Sequence, residues 1–94
     1  DFKLSRGAKG KTVVEIKRLS NQDLLHGYVT QLPLYMKAEK ADFGIFVIIK
    51  EDHRNQEAVQ SVQDMYDSLV ESGEYAPEII IVDARLRESA SKVK

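Results

Sequence analysis

The sequence predicts a small α/β domain, a β-hairpin followed by helix, strand, helix and strand, with a central mixed sheet flanked by helices. Three observations carry that expectation. Thr12 to Lys17, Thr-Val-Val-Glu-Ile-Lys, has four β-branched residues in six, and its inner part alternates apolar with charged. Ile45 to Ile49, Ile-Phe-Val-Ile-Ile, is an unbroken apolar run, as expected of a strand covered on both faces. Helical periodicity then separates that run from a third strand, the alternation that yields a right-handed parallel crossover.

The first element is a hairpin. Asp1-Phe-Lys-Leu-Ser5 alternates like the strand after it, and Arg6-Gly-Ala-Lys-Gly-Lys11 supplies the glycines of the loop. If the hydrophobic pattern sets the register, Phe2 and Leu4 share the face of Ile16 and Val14, and Asp1 shares the face of Glu15 and Lys17. Two carboxylates and a lysine then converge on one polar side, an arrangement a structural hairpin does not require. Ser20-Asn-Gln-Asp23 reads as a helix start with Ser20 as N-cap. Leu25, Val29, Leu32 and Tyr35 or Met36 recur at helical spacing and put one face on the sheet. Pro33 lies inside this helix, deprives the Val29 carbonyl of its usual donor and bends the axis.

Glu51-Asp-His-Arg-Asn55 breaks the apolar run. Val59, Val62, Met65 or Tyr66, and Leu69 or Val70 define a second amphipathic helix within 55–72, ended by Ser72-Gly73. Glu78-Ile-Ile-Ile-Val-Asp83 reads as a last buried strand, and from Ala84 to Lys94 the pattern fades into a polar, basic tail. Residues 1–94 form a single domain near the lower end of ordinary domain size.

Composition narrows the function classes. With 43% hydrophobic and 31% charged residues the chain is globular in character, and no apolar run approaches the roughly 20 residues of a membrane span. There is no cysteine, so a metal would be held by oxygen or imidazole. A cytoplasmic protein with no membrane partner is expected. The net charge of −1 conceals an uneven distribution. Residues 1–18 carry net +4, residues 51–83 net −8 and residues 84–94 net +3. Basic charge thus surrounds the hairpin, and Lys3, Lys9, Lys11 and Arg18 are the candidates for phosphate contact if DNA is the ligand.

Asp1 followed by Glu15-Ile16-Lys17 on the next strand resembles the Asp…Glu-x-Lys signature of the PD-(D/E)xK nuclease superfamily. Gln31 and Tyr35, one helical turn apart and thus neighbours, resemble the Gln-x-x-x-Tyr motif of its RecB-like branch, at the expected place after the Glu-x-Lys strand. Read without that context, Tyr35 is a core aromatic and Gln31 a boundary polar residue. The motifs span Asp1 to Tyr35 and the element order agrees to about Asp83, which implies a restriction-endonuclease-like core. That core usually opens with a helix and a strand ahead of the aspartate. Here the sequence starts at the aspartate, so those elements are expected from a longer chain or from another one.

The resemblance implies a mechanism. Asp1 and Glu15, with the backbone carbonyl of Ile16, would hold Mg²⁺ or Mn²⁺, hard cations suited to oxygen ligands. Lys17 would orient the attacking water or neutralise phosphate charge. Gln31 and Tyr35 would hold that centre in position. The expected function is therefore that of a Mg²⁺-dependent DNA nuclease core, with catalytic residues Asp1, Glu15, Lys17, Gln31 and Tyr35, acting as a homodimer or as part of a larger chain or complex. Two other readings stay open. One is a nuclease-like module that binds nucleic acid or protein without cutting. The other makes Glu15 and Lys17 a surface pair on an ordinary α/β domain.

Overall fold

The computed structural model describes residues 2–7, 10–20 and 23–84. Four strands form one mixed sheet in the order β1-β2-β3-β4. β1 (Phe2–Gly7) and β2 (Gly10–Arg18) form the antiparallel hairpin. A helical stretch follows as α1 (Leu24–His26), a π-helical turn (Gly27–Gln31) and α2 (Leu32–Glu39). It returns the chain to β3 (Phe43–Lys50), parallel to β2, and α3 (Gln56–Glu71) leads to β4 (Glu78–Asp83), parallel to β3. The predicted element order is the observed one, and the class is a small α/β domain.

The core lies on one side of the sheet. Val13, Phe46 and Ile48 are buried there with Leu19, Leu24, Tyr28, Leu32, Val59 and Val62, so both helical segments cover the same face. Phe46 is its centre: its ring meets that of Tyr28 edge to face, with centroids 5.4 Å apart and an interplanar angle of 75°. Burial pushes the Tyr28 hydroxyl well above the usual tyrosine range, and it donates to the Pro77 carbonyl at 2.6 Å. α2 descends closely onto β3 at Gly44, where a Cβ would lie 2.5 Å from Met36 Sδ. The predicted helix face holds at Leu32, Tyr35 and Met36 but is displaced by one residue in the turns before them. Leu24, Tyr28 and Leu32 point inward, whereas Leu25 and Val29 are exposed.

The reason is the wide turn ahead of Pro33. A prolyl ring collides with the carbonyl four residues back and offers it no N–H, and here the turn before it widens so that Leu32 N–H donates to the Gly27 carbonyl, five residues back. Ser20 is not the cap of this helix; its hydroxyl donates to Glu51 Oε1 at 3.4 Å, and α1 begins after Asp23. α2 ends with Lys40 in the left-handed region and the Ala41 N–H bonded to Met36 O. α3 ends as predicted, with Gly73 at φ 75° and the Glu74 N–H bonded to Leu69 O, the paired closure that glycine favours. Within α3, Met65 and Leu69 pack on the core, while Tyr66 and Val70 face out.

The other sheet face corrects a second expectation. β3 is not equally covered on both sides: Phe46 and Ile48 are buried, but Ile45, Val47 and Ile49 are half-buried on the face that no described helix covers. β4 is not a buried strand either. It stands at the edge of the described sheet, with Ile80, Ile81 and Val82 exposed.

Candidate functional site

The register of the hairpin decides where the charged side chains go. Directly opposed residues of antiparallel strands share a face, and the pairs are Phe2↔Glu15, Lys3↔Val14 and Leu4↔Val13. The hairpin is therefore one residue out of the register that the hydrophobic alternation suggested. Leu4 shares the face of Val13, not that of Val14 and Ile16. The physical cause is tertiary. The helical stretch folds over the Val13 side, which makes that side the core and leaves Val14 and Ile16 half-buried on the other.

Glu15 and Lys17 do lie on one face, as strand alternation requires, but it is the core face and not a solvated one. Glu15 is 2% exposed, the Lys17 side chain 13%, and Lys17 Nζ lies 3.6 Å from Glu15 Oε2. A solvated surface pair is thereby ruled out. Gly27 makes the close approach of the helix possible. A Cβ on it would lie 3.1 Å from Lys17 Cε, 3.3 Å from Phe46 Cε1 and 3.4 Å from Gln31 Oε1. Lys17, Gln31 and Phe46 thus border one point between helix and sheet. Gln31 Oε1 is buried there and accepts no hydrogen bond among the described residues, while Tyr35, one turn on, packs against the core cluster.

Sequence reasoning passed over Gly27, because an isolated glycine near a helix start carries no signal of what lies beneath it. Gly27→Ala is expected to push the Lys17 side chain aside and cost about 1–2 kcal/mol through crowding. Urea unfolding measures the cost, and an unchanged midpoint would mean that helix and strand are not in contact at Gly27.

The other predicted residues are distributed more widely. Asp1 and Lys9 lie outside the described residues. Lys3 is exposed and, through its pairing with Val14, shares the open sheet face with Arg18. Arg18 forms an ion pair with Glu51. Lys11 lies toward the other end of β2, where its Nζ donates to Glu39 O at 2.8 Å and its N–H to Asp42 Oδ2 at 2.9 Å. The described basic residues do not form one patch around Glu15. Beyond Arg18, Arg54 donates to Asp52 and holds that exposed carboxyl below the usual range.

For a metal, the described residues supply the Glu15 carboxylate and the Ile16 carbonyl, both hard oxygen donors. The Leu19 N–H bonds to Ile49 O, so by the alternation of strand peptide groups the Ile16 carbonyl lies in the sheet plane on the β1 side. No group of three or more His, Cys, Asp or Glu placed to hold a metal occurs among the described residues. The donor set fits Mg²⁺ in kind; the second expected carboxylate, Asp1, lies outside the described residues, and the register that was to set it on the face of Glu15 is not the observed one.

Fold and site together define a small α/β domain that buries a Glu-x-Lys pair beneath a glycine-opened helical turn. A family model described as "Domain of unknown function (DUF8371)" matches residues 1–53, more than half of the 94-residue chain, and the chain belongs to that family. The match takes in β1 to β3, and with them Glu15, Lys17, Gln31 and Tyr35. No curated protein and no solved structure matches the chain. Among the described residues, no helix is long and apolar enough to cross a membrane.

Proposed function

We propose that this domain is the core of a Mg²⁺-dependent DNA nuclease of the PD-(D/E)xK kind, with a restriction-endonuclease-like sheet. The observation that carries the reading is the burial of Glu15 beside Lys17 in a domain too small to bury charge without cost. Taking an ion pair out of water costs several kcal/mol per ion, and apolar residues of similar volume are often as stable or more so. A carboxylate and an ammonium kept at that cost, next to a buried amide oxygen, fit a reaction centre better than a packing element.

In this reading Glu15 and the Ile16 carbonyl, with Asp1 from outside the described residues, would hold the cation, which would supply charge stabilisation to the scissile phosphate and a water reactive at neutral pH. Lys17 holds the nucleophile or offsets phosphate charge from its place beside Glu15. Gln31 and Tyr35 keep the helical turn in register with the strand and so position Lys17. Lys3 and Arg18, on the open sheet face, would meet nucleic acid only away from the centre, Arg18 by exchanging its ion pair with Glu51.

The test is plasmid cleavage with Mg²⁺ or Mn²⁺, alongside calorimetric titration of the metal, on the wild type and on Glu15→Gln, which preserves shape while removing charge. Cleavage should fall by about a hundredfold or more in the variant, and metal binding should fall with it. Cleavage that survives in Glu15→Gln would overturn the reading. The scattered basic residues, and Glu15 as the one carboxylate that the described residues bring to the centre, favour a second one, a domain that engages nucleic acid or protein without cutting. Its mark would be DNA binding indifferent to both Mg²⁺ and Glu15→Gln.

A further inference from the structure

β4 stands at one side of the sheet, and among the described residues no strand pairs with its outer edge. Exposed edges are normally blunted by lysine, proline, bulges or a covering element. β4, Glu-Ile-Ile-Ile-Val-Asp, has no lysine or proline and pairs with β3 without a bulge from Ile45↔Glu78 to Lys50↔Asp83. It is apolar on both faces, with Ile80 and Ile81 each 39% and Val82 44% exposed. The Ala84 N–H bonds to Lys50 O at 2.8 Å. Strand alternation then turns the peptide groups of Ile79, Ile81 and Asp83 away from β3, toward the open edge.

A second feature adjoins this edge. α3 overhangs β4 and leaves a cleft of about 430 Å³, lined by Gln60, Gln63, Tyr66, Asp67, Glu78 and Ile79. No basic side chain lines it, and the surrounding stretch 51–83 carries net −8. A strand added beside β4 would send every second side chain into this cleft, toward two amides, a phenol and two carboxylates. A second copy of the chain suits the edge poorly. Antiparallel pairing of two β4 strands about their midpoint would set Glu78 of each copy against Asp83 of the other and bring two acidic α3 helices together.

We propose that the outer edge of β4 docks an extended, lysine- or arginine-bearing segment of another protein, which joins the sheet as the next strand and places its basic side chains in the α3–β4 cleft. Backbone pairing supplies affinity and the acidic cleft supplies selection, the division of labour seen wherever a peptide extends a sheet. The site lies on the side of the sheet away from β1 and does not depend on the nuclease reading.

The probe is a fluorescent peptide of alternating lysine and valine, titrated into the full chain and followed by anisotropy, with a glutamate-valine peptide as control. The lysine peptide should bind saturably, more weakly as salt rises, and the glutamate peptide should not. Ile81→Pro removes an outward N–H without touching the ladder to β3 and should weaken binding about tenfold, the value of one lost hydrogen bond. Asp67→Lys with Glu78→Lys changes only exposed side chains, keeps the fold testable if the proline variant unfolds, and should weaken binding by at least as much. The proposal fails if the lysine peptide does not bind, if the glutamate peptide binds equally, or if the charge-reversed variant binds unchanged. Sedimentation of the wild type as a dimer that Ile81→Pro dissociates would assign the edge to a second copy instead.

Discussion

Glu15→Ala is expected to lower stability by about 3–5 kcal/mol, because it leaves the Lys17 ammonium in a poorly hydrated place without the carboxylate 3.6 Å away. The further change Lys17→Met should recover most of that loss, since it removes the stranded charge and fills much the same volume. Chemical denaturation of the wild type, both single variants and the double variant closes the cycle. A cost below about 1 kcal/mol for Glu15→Ala, the range of exposed pairs, would mean that the pair is solvated and the burial argument void. Recovery in the double variant has a functional meaning too. A domain that is as stable without the pair keeps it for something other than stability, and, on the proposed reading, loss of cleavage in a variant of restored stability would separate chemistry from folding.

This expectation differs from the one the sequence alone encourages, in which Glu15 and Lys17 stand on the polar side of the hairpin, away from the core. The difference comes from the face on which Glu15 lies. β2 offers apolar residues on both sides, Val13 on one and Val14 and Ile16 on the other, so strand periodicity establishes that Glu15 and Lys17 share a face without saying which face is covered. Charge argues for the solvated one. The helical stretch decides otherwise by folding over Val13, and nothing local to β2 encodes that choice.

The same distinction runs through the rest of the fold. Strand positions, the α3 stripe and its glycine closure are set by neighbours in the chain, and each is readable from residue order. Pro33 signals a departure from regular helix, but proline is compatible with a kink, a break or a wide turn. Only the packing of Tyr28 against Phe46 fixes the turn that displaces the inward stripe from Leu25 and Val29 to Leu24 and Tyr28. For β4, four consecutive apolar residues describe a central strand and an apolar edge equally well. Strand order separates the two, and strand order is a property of the whole sheet. At the candidate site the Glu-x-Lys spacing and the Gln31-to-Tyr35 turn were legible, whereas the approach through Gly27 becomes visible only once helix and strand are superposed.

Phe46 joins these layers, and Phe46→Ala should be the most damaging single truncation in the chain. The ring is fully buried, sits on a central strand, meets Tyr28 edge to face and flanks the point above Gly27 that Lys17 and Gln31 also border. Removing it forfeits the transfer energy of an aromatic side chain and leaves a cavity between rigid sheet and helix, about 3–5 kcal/mol in total. Domains of this kind have only about 5–15 kcal/mol in hand, so the variant should unfold at a much lower urea midpoint with an unchanged slope. Val70→Ala, on an exposed position of α3, should shift the midpoint very little and serves as the control. Equal shifts in the two variants would refute the single-sided core. Phe46→Leu offers a finer reading: it keeps most of the apolar volume but withdraws the ring edge beside Lys17. If Lys17 and Gln31 depend on that edge for their placement, Phe46→Leu should reduce the cleavage proposed for this domain by more than its loss of stability explains.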